Sequence, residues 1–320
     1  ANNVHLSEEI LMQLVEDVGE KGVKGMLFTG GGEPLVNPFT VSAMERANEL
    51  GVDTGLITNG GMITDKNLTT IVNSTRFVRL SLDAGTTESH RIMHEPKNGV
   101  KRDEFRYILD RIRDMVTHRD AEGLETTIGI GFLVNPTTLH EVYDGCKEAH
   151  FAGANYIQIR PIYDLPQTQQ TIVREQAPNL VRKQIERFKG EFKDSALKVH
   201  AHFPRFADLY ANHKDYARCE SHPLIGVVGA TGELYLCCQH KGTAQFSYGQ
   251  ITQERRFFDI WEDKVVRSGV AESIQLGLCP PCKYNDMNRL LDQMKGEGSE
   301  QRAAHFESLK KGTIQHPNNL

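Results

Sequence analysis

The sequence predicts an α/β protein whose mostly parallel sheet is covered by helices. Between residues 6 and 162, short apolar runs typical of buried strands alternate with longer segments that have apolar residues at helical spacing. The loops after the strands are rich in glycine and polar residues. In parallel α/β folds the carboxyl ends of the strands carry the ligands, so we expect one pocket at one edge of the sheet.

The predicted helices and strands alternate in order along the chain. The helices have an apolar stripe, and they cover Leu6–Lys21, Pro38–Leu50, Asp65–Asn73, Glu104–Arg119 and His140–Ala149. The strands are apolar runs that end at glycine or polar residues, and they cover Val23–Thr29, Val52–Thr58, Phe77–Leu82, Thr126–Val134 and Tyr156–Ile162. Ser7 is the predicted N-cap of the first helix, because its hydroxyl can accept a backbone N–H.

The composition changes after the fifth strand. A glutamine-rich stretch precedes an amphipathic helix near Asn179–Phe192, and a Thr231-Gly232 turn predicts a β-hairpin of Ile225–Val228 with Glu233–Leu236. The end of the chain predicts a helix and a polar tail. The predicted domains are a sheet domain, a helical connecting segment, a cysteine-rich domain and a terminal helix with tail, over 1–164, 165–216, 217–295 and 296–320.

Composition narrows the class of protein. The 320 residues carry a formal net charge of −5, with 25% charged and 39% hydrophobic residues. Acids and bases are interspersed, so no basic surface for nucleic acid or anionic membrane is predicted. Neither a membrane-spanning run nor a signal peptide is recognisable, and we expect a cytoplasmic protein without nucleic-acid or membrane partners.

Three successive strand ends carry residues suited to ligand binding. They are Gly31, Gly32, Glu33 and Pro34 after the first strand, Thr58 and Asn59 after the second, and Ser81 and Asp83 after the third. In order and position these residues resemble the Gly-Gly-Glu-Pro motif and the following strand ends of the radical S-adenosylmethionine (radical SAM) superfamily. The resemblance covers about residues 6–162 and implies a partial (β/α)6 barrel of the TIM type.

The resemblance also implies how S-adenosylmethionine (SAM) binds. The glycines would let the backbone approach its methionine end, and Glu33 would accept a hydrogen bond from its ammonium group. The remaining residues with implied roles in binding SAM are Thr58, Asn59, Ser81 and Asp83 at the amino acid or ribose, Arg91 at the carboxylate, and Val134 and Gln158 along the cleft. Arg160 is the candidate catalytic residue that holds an anionic or hydroxylated substrate, or else pairs with an acid of the barrel.

One defining motif of the family does not occur in the sequence. The C-x-x-x-C-x-x-C loop that holds the radical SAM [4Fe–4S] cluster is absent, and the five predicted strands are one short of six. We therefore expect the first strand and the cluster loop to lie on a missing N-terminal segment, and the 320 residues alone to be unable to perform radical chemistry. The rival interpretation is a degenerate member that cannot cleave its ligand.

Five of the six cysteines lie in the last third of the chain. Cys219, Cys237, Cys279 and Cys282, with a glycine before the second, resemble the Twitch half of the SPASM extension, which binds one auxiliary [4Fe–4S] cluster. Successive residues on a strand face opposite ways, so only one of Cys237 and Cys238 is expected to face the metal. The spacing from the glycine selects Cys237. A structural zinc ion is the alternative occupant of these four thiolates.

The resemblance implies a radical SAM oxidoreductase or lyase that abstracts hydrogen by way of a 5′-deoxyadenosyl radical. A small polyhydroxylated molecule, such as a sugar, aminocyclitol or nucleoside derivative, is the expected substrate, and a flavodoxin or ferredoxin the expected reductant. The auxiliary cluster would transfer electrons or give structural support. Two alternatives remain, namely a maturase that modifies peptides or proteins and a non-catalytic barrel with a zinc or iron–sulfur site.

Overall fold

The computed structural model describes residues 4–94, 102–162, 167–201, 203, 205–206, 214–279, 282 and 284–296. They belong to two compact units. The larger unit comprises residues 11–211, and the smaller unit comprises residues 1–10 together with 212–320.

The larger unit is built on a six-stranded sheet. Its strands follow the chain order and are all parallel: β1 (Gly25–Phe28), β2 (Asp53–Thr58), β3 (Phe77–Ser81), β4 (Thr127–Val134), β5 (Tyr156–Pro161) and β6 (Lys198–Ala201). The helices are α1 (Glu8–Glu20), α2 (Thr40–Glu49), α3 (Leu68–Ser74), α4 (Thr87–His94), α5 (Glu104–Glu122), α6 (Val142–Phe151) and α7 (Gln167–Glu191). The predicted α/β fold with a parallel sheet is confirmed.

The predicted count of five strands is wrong, because β6 was missed. This strand has four residues, and its sequence Lys-Val-His-Ala offers too few apolar positions for a strand pattern to stand out. It pairs with β5 from Tyr156↔Lys198 to Ile159↔Ala201. Since the sheet reaches six strands with β6, the strand count no longer argues for a missing first strand.

The two faces of the sheet differ in character. Leu80, Ile130 and Ile157 are completely buried on the face against which the helices pack. Helix α6 approaches this face so closely that a Cβ on Gly145 would lie 2.6 Å from the ring of Phe132. The opposite face, here called the polar face, carries Arg79 and Ser81 of β3, Tyr156, Gln158 and Arg160 of β5, and His200 of β6, as the registers and the alternation of side chains require.

Helix boundaries differ from the prediction in two places. Helix α7 begins at Gln167 and contains Pro178, whereas the prediction started the helix at Asn179. A proline costs a helix about 3 kcal/mol, which makes it a strong sequence indication of a break. Helix α4 was not predicted at all. Ser7 has the predicted capping role, because its Oγ accepts the N–H of Ile10 at 3.3 Å.

The smaller unit contains a three-stranded antiparallel sheet of β7 (Val227–Val228), β8 (Glu233–Tyr235) and β9 (Ser247–Gln250). The predicted hairpin is confirmed as β7 and β8, with Gly232 in its turn at φ 86°. Three further helices are α8 (Phe257–Trp261), α9 (Lys264–Glu272) and α10 (Asn285–Gln293). The predicted terminal helix and tail fall beyond Gly296, outside the described residues. None of the described helices has the length and apolarity needed to cross a membrane.

Candidate active site at the strand ends

Glu33 joins the ends of the first two strands. Its Oε1 accepts the N–H of Leu35 at 3.0 Å and the hydroxyl of Thr58 at 2.6 Å, and its Oε2 accepts the N–H of Asn59 at 2.7 Å. A carboxylate offers about four acceptor positions, so among the described contacts Oε2 keeps one for a further donor. An ammonium group is such a donor, and the site fits the methionine end of SAM in this respect.

The glycines before Glu33 leave the backbone open to a ligand. Gly31 and Gly32 are exposed, and a Cβ on Gly32 would meet no atom within 4 Å. Packing of the described residues therefore does not require glycine at position 32. The bare backbone at Gly32 leaves room for a bound molecule to approach it closely.

Asp83 joins the end of β3 to β4. It is the one non-glycine residue with positive φ in the described part of the chain, at 54°, and it is only 6% exposed. Its Oδ1 accepts the N–H of Leu133 at 2.9 Å, and its Oδ2 lies 3.7 Å from Nε2 of His94. Burial raises the pKa of Asp83, against the opposing effects of His94, Arg160 and Arg79.

We expect Asp83→Asn to keep the fold and to change its pH dependence. Asparagine adopts the left-handed conformation as readily as aspartate, and its Oδ1 can still accept the N–H of Leu133. Because the pKa of Asp83 is raised on folding, its contribution to stability is complete below the unfolded pKa of about 3.9 and is lost as pH rises through the folded pKa. Urea unfolding from about pH 4 to about pH 7 should therefore show wild type losing stability relative to Asp83→Asn. Parallel pH curves for the two proteins would contradict this explanation.

The polar face continues from these strand ends into the middle of the sheet. Nη1 of Arg79, on β3, donates to Oε1 of Gln158, on β5, at 2.8 Å. Arg160 contributes to the electrostatic environment of Asp83. Sequence reasoning found Gln158 and Arg160 but missed Arg79 and His94. The indication for Arg79 was present, since a charged residue interrupts the otherwise apolar Phe77-Val78-Arg79-Leu80 strand.

Three of the residues predicted to bind SAM have surroundings that differ from those of Glu33 and Asp83. The side chain of Arg91 is 66% exposed and pairs with Glu88 at 3.2 Å, on the surface of α4. Val134 is completely buried, and the alternation along β4 puts it on the helix-covered face. Pro34 begins a short 3₁₀ helix, Pro34–Val36, and its carbonyl accepts the hydroxyl of Thr40 at 2.7 Å.

Residues 2–119 match the sequence profile of the radical SAM superfamily. The match covers helices α1 to α4 and strands β1 to β3. The matched range includes Glu33, Thr58 and Asp83, so the strand ends described above lie within it.

A curated protein is similar to part of the chain. An S-adenosylmethionine-dependent nucleotide dehydratase from Flammeovirga pacifica is 27% identical over 103 residues, which are 32% of this chain and 35% of that protein. The match thus spans about a third of the curated relative.

Solved structures share the fold over most of the chain. The native anSMEcpe with bound AdoMet has a TM-score of 0.58 at 17% identity, over 96% of this chain and 89% of that chain. Streptococcus suis SuiB bound to S-adenosylmethionine has a TM-score of 0.60 at 13% identity, over 85% and 61% respectively. The six-stranded parallel sheet matches the partial barrels of radical SAM enzymes.

The larger unit does not supply the three cysteines that a [4Fe–4S] cluster of the radical SAM type would need. Within residues 11–211 the sequence has a single cysteine, Cys146, where the cluster needs three. Cys146 is completely buried in α6, and burial raises the pKa of its thiol to about 12. Such a thiol behaves as a small apolar side chain.

The four predicted cluster cysteines lie on loops of the smaller unit and are half-buried. Cys219 precedes the 3₁₀ helix His222–Leu224, Cys237 follows β8, and Cys279 and Cys282 precede α10. All six cysteines are described, and no disulfide joins them. Their position at the ends of short elements is one that metal-binding loops commonly adopt.

Hydrogen bonds to sulfur support three of these thiols. The backbone N–H groups of Gln239 and His240 donate to Cys237, and the N–H of Tyr284 donates to Sγ of Cys282 at 3.3 Å. Nε2 of His240 lies 3.4 Å from Sγ of Cys279. N–H donors of this kind surround cluster-bound sulfur atoms and tune their potential.

The donor chemistry of the four cysteines fits a [4Fe–4S] cluster or zinc. Burial raises the pKa of Cys237 to about 11 and also raises the pKa of Cys279 and Cys282, so these thiols keep their protons without a metal. Among the described residues, no three His, Cys, Asp or Glu side chains are close enough to form a metal site. Metal binding would therefore draw the cysteine loops together.

Proposed function

We propose that this chain is the SAM-binding part of a radical SAM enzyme that abstracts hydrogen from a small polyhydroxylated substrate. The observation that carries the proposal is the Glu33 carboxylate, which is fixed by Thr58 and Asn59 and retains an acceptor position on Oε2 within a radical SAM domain. A pre-oriented carboxylate binds an ammonium group without reorganising at the moment of binding.

The residues of the chain position the cosubstrate. Glu33 binds the methionine ammonium, and the open backbone at Gly31 and Gly32 lets the methionine approach. Ser81 and Asp83 hold the ribose hydroxyls by hydrogen bonds from the third strand end. A reduced [4Fe–4S] cluster beside bound SAM would supply the 5′-deoxyadenosyl radical chemistry. The 320 residues contain no three-cysteine loop to hold that cluster.

Among polyhydroxylated substrates, we favour a nucleoside or nucleotide derivative. The support is the name of the Flammeovirga pacifica relative, a nucleotide dehydratase, which is similar to about a third of this chain. Arg160 is the candidate substrate-binding residue because its guanidinium borders the polar face beside Gly131. A dehydratase removes a hydroxyl group as water, so a reaction of that kind on this chain would be a lyase reaction.

We further propose that Cys219, Cys237, Cys279 and Cys282 hold an auxiliary [4Fe–4S] cluster of the Twitch type. The support is the set of N–H donors around Cys237 and Cys282, which a redox cluster uses more directly than zinc does. A flavodoxin or ferredoxin would supply electrons, and a reducing cytoplasm would keep the thiols available.

The test is the formation of 5′-deoxyadenosine by the intact polypeptide after anaerobic iron–sulfur reconstitution and reduction. Small hydroxylated molecules, nucleotides and short peptides are offered in separate reactions. We expect nucleotides or sugars to stimulate product formation above the substrate-free rate. Stimulation by peptides alone would favour the maturase alternative, and no 5′-deoxyadenosine under any condition would contradict the proposal.

A further inference from the structure

Asn288 is a buried amide that joins two distant segments of the chain within the smaller unit. It lies in α10 and is completely buried. Its Oδ1 accepts the N–H of Glu220 at 2.7 Å and the N–H of Ser221 at 2.8 Å. Asparagine is a poor helix former, so helix propensity does not favour it at this position. The side chain thus serves residues 67 and 68 positions away rather than its own helix.

The segment bound by Asn288 carries Cys219. Glu220 and Ser221 follow this cysteine directly, and Oγ of Ser221 lies 3.6 Å from Sγ of Cys219. Ser221 is only 2% exposed, so water does not readily replace Oδ1 of Asn288 as the acceptor of its N–H. A buried N–H normally keeps a partner, because an unpaired one pays the full cost of its desolvation. Asn288 therefore fixes the backbone that follows Cys219.

The same helix holds Cys282. The N–H of Tyr284 donates to Sγ of Cys282 at 3.3 Å, and the N–H of Asn288 donates to the carbonyl of Tyr284 at 2.9 Å. Asn288 thus bonds through its backbone to the turn that contacts Cys282, and through its side chain to the segment of Cys219. Burial raises the pKa of Cys282, and the nearby thiols of Cys219 and Cys279 add to this effect. The three sulfur atoms are therefore close enough to interact electrostatically.

Two ion pairs also join this part of the chain to the segment of Cys219. Arg289 pairs with Asp215 at 2.7 Å, and Lys295, just after α10, pairs with Glu220 at 2.7 Å. Each of the four side chains is at least 21% exposed, and ion pairs in contact with water contribute little. The buried hydrogen bonds of Asn288 therefore constrain the segment more than these ion pairs do.

We propose that Asn288 is a positioning residue, which holds Cys219 beside Cys282 as a preformed half of the metal site. The inference rests on the proposed auxiliary cluster and adds an order of assembly to it. The hydrogen bonds of Asn288 need no metal, so Cys219 and Cys282 are in place first, and the loops of Cys237 and Cys279 close afterwards. Ordering two ligands in advance strengthens metal binding, because that part of the entropy cost is met during folding.

The test is anaerobic titration of the intact chain with Co²⁺ after removal of metals, because the charge-transfer absorbance of Co²⁺ thiolates reports binding to cysteine. We expect Asn288→Ala to weaken Co²⁺ binding about 10-fold, which is typical for the loss of a residue that orients a metal ligand. Asn288→Asp should recover most of the affinity, because a carboxylate oxygen accepts the same two N–H groups. Ile260→Val is the matched control for lost stability. It removes a buried methylene group but no hydrogen bond, and it should bind Co²⁺ as wild type does.

Hydrogen exchange of the wild type keeps the test decisive if Asn288→Ala fails to fold. We expect the amides of Glu220 and Ser221 to be protected before Co²⁺ is added, because Asn288 already accepts both of them. Rapid exchange of both amides until Co²⁺ is added would overturn the inference. Equal Co²⁺ affinity of wild type and Asn288→Ala, an equal loss in Ile260→Val, or no recovery in Asn288→Asp would also overturn it.

The same titration separates this inference from the proposed auxiliary cluster. If wild type binds no Co²⁺ at its cysteines, the auxiliary cluster and the role of Asn288 fail together. If wild type and Asn288→Ala bind Co²⁺ equally tightly, the four cysteines remain a metal site and only the role of Asn288 is lost.

Discussion

Replacing Glu33 with alanine is expected to lower the free energy of unfolding by about 3 kcal/mol and to weaken SAM binding at least about 10-fold. The variant leaves the donors of Leu35, Thr58 and Asn59 without their shared acceptor. It also removes the charge proposed to bind the methionine ammonium. Urea unfolding measures the first effect, and calorimetric titration with SAM measures the second.

Glu45→Ala is the matched control for this experiment. Glu45 is an exposed acid on the outer side of α2, so its removal changes the net charge equally without touching the strand ends. Glu33→Gln separates the two effects further, because a glutamine oxygen can still accept hydrogen bonds but carries no charge. Equal SAM affinity of wild type and Glu33→Ala would contradict the proposed role of Glu33.

Replacing Cys237 with serine is expected to remove most of the iron bound by the smaller unit. A [4Fe–4S] cluster needs four thiolates, and loss of one should reduce bound iron from about four atoms per chain to well below that. Cys238→Ser is the control on the adjacent residue. The structure supports this choice, because Cys238 forms a hydrogen bond with the side chain of Tyr284, whereas Cys237 receives the two backbone N–H donors.

Metal analysis and visible absorbance after anaerobic reconstitution check this prediction. If Cys237→Ser retained iron and Cys238→Ser lost it, Cys238 rather than Cys237 would be the cluster ligand. About one zinc atom per chain in a colourless protein would indicate that the four cysteines hold a structural zinc ion and not an auxiliary cluster. Loss of metal from both variants would indicate that the loop folds only around an intact pair.

The sequence predicted the elements that have strong periodicity and missed those that have little. Five parallel strands were found because their cores are continuous apolar runs, as in Leu80 and Ile130, which are completely buried. The four-residue β6 lacked such a run. The prediction of helix α7 began only near Asn179, whereas the helix begins at Gln167 and continues through Pro178, a residue that disfavours a helix interior.

The candidate site was predictable where a motif marked it. The link from Glu33 to Thr58 and Asn59 follows from parallel strands that end at one edge, and the sequence places those residues at adjacent ends. Arg79 was missed because a single charged residue within an apolar strand belongs to no motif. Its role depends on the residues of neighbouring strands, which are distant in sequence. Its partner Gln158 is 79 positions away along the chain.

A crystal structure of the chain with SAM tests the central claim most directly. We predict that the methionine ammonium lies within hydrogen-bonding distance of Oε2 of Glu33, and that the ribose contacts Ser81 or Asp83. SAM bound elsewhere, with these three side chains remote from it, would contradict the assignment of the strand ends as the cosubstrate site.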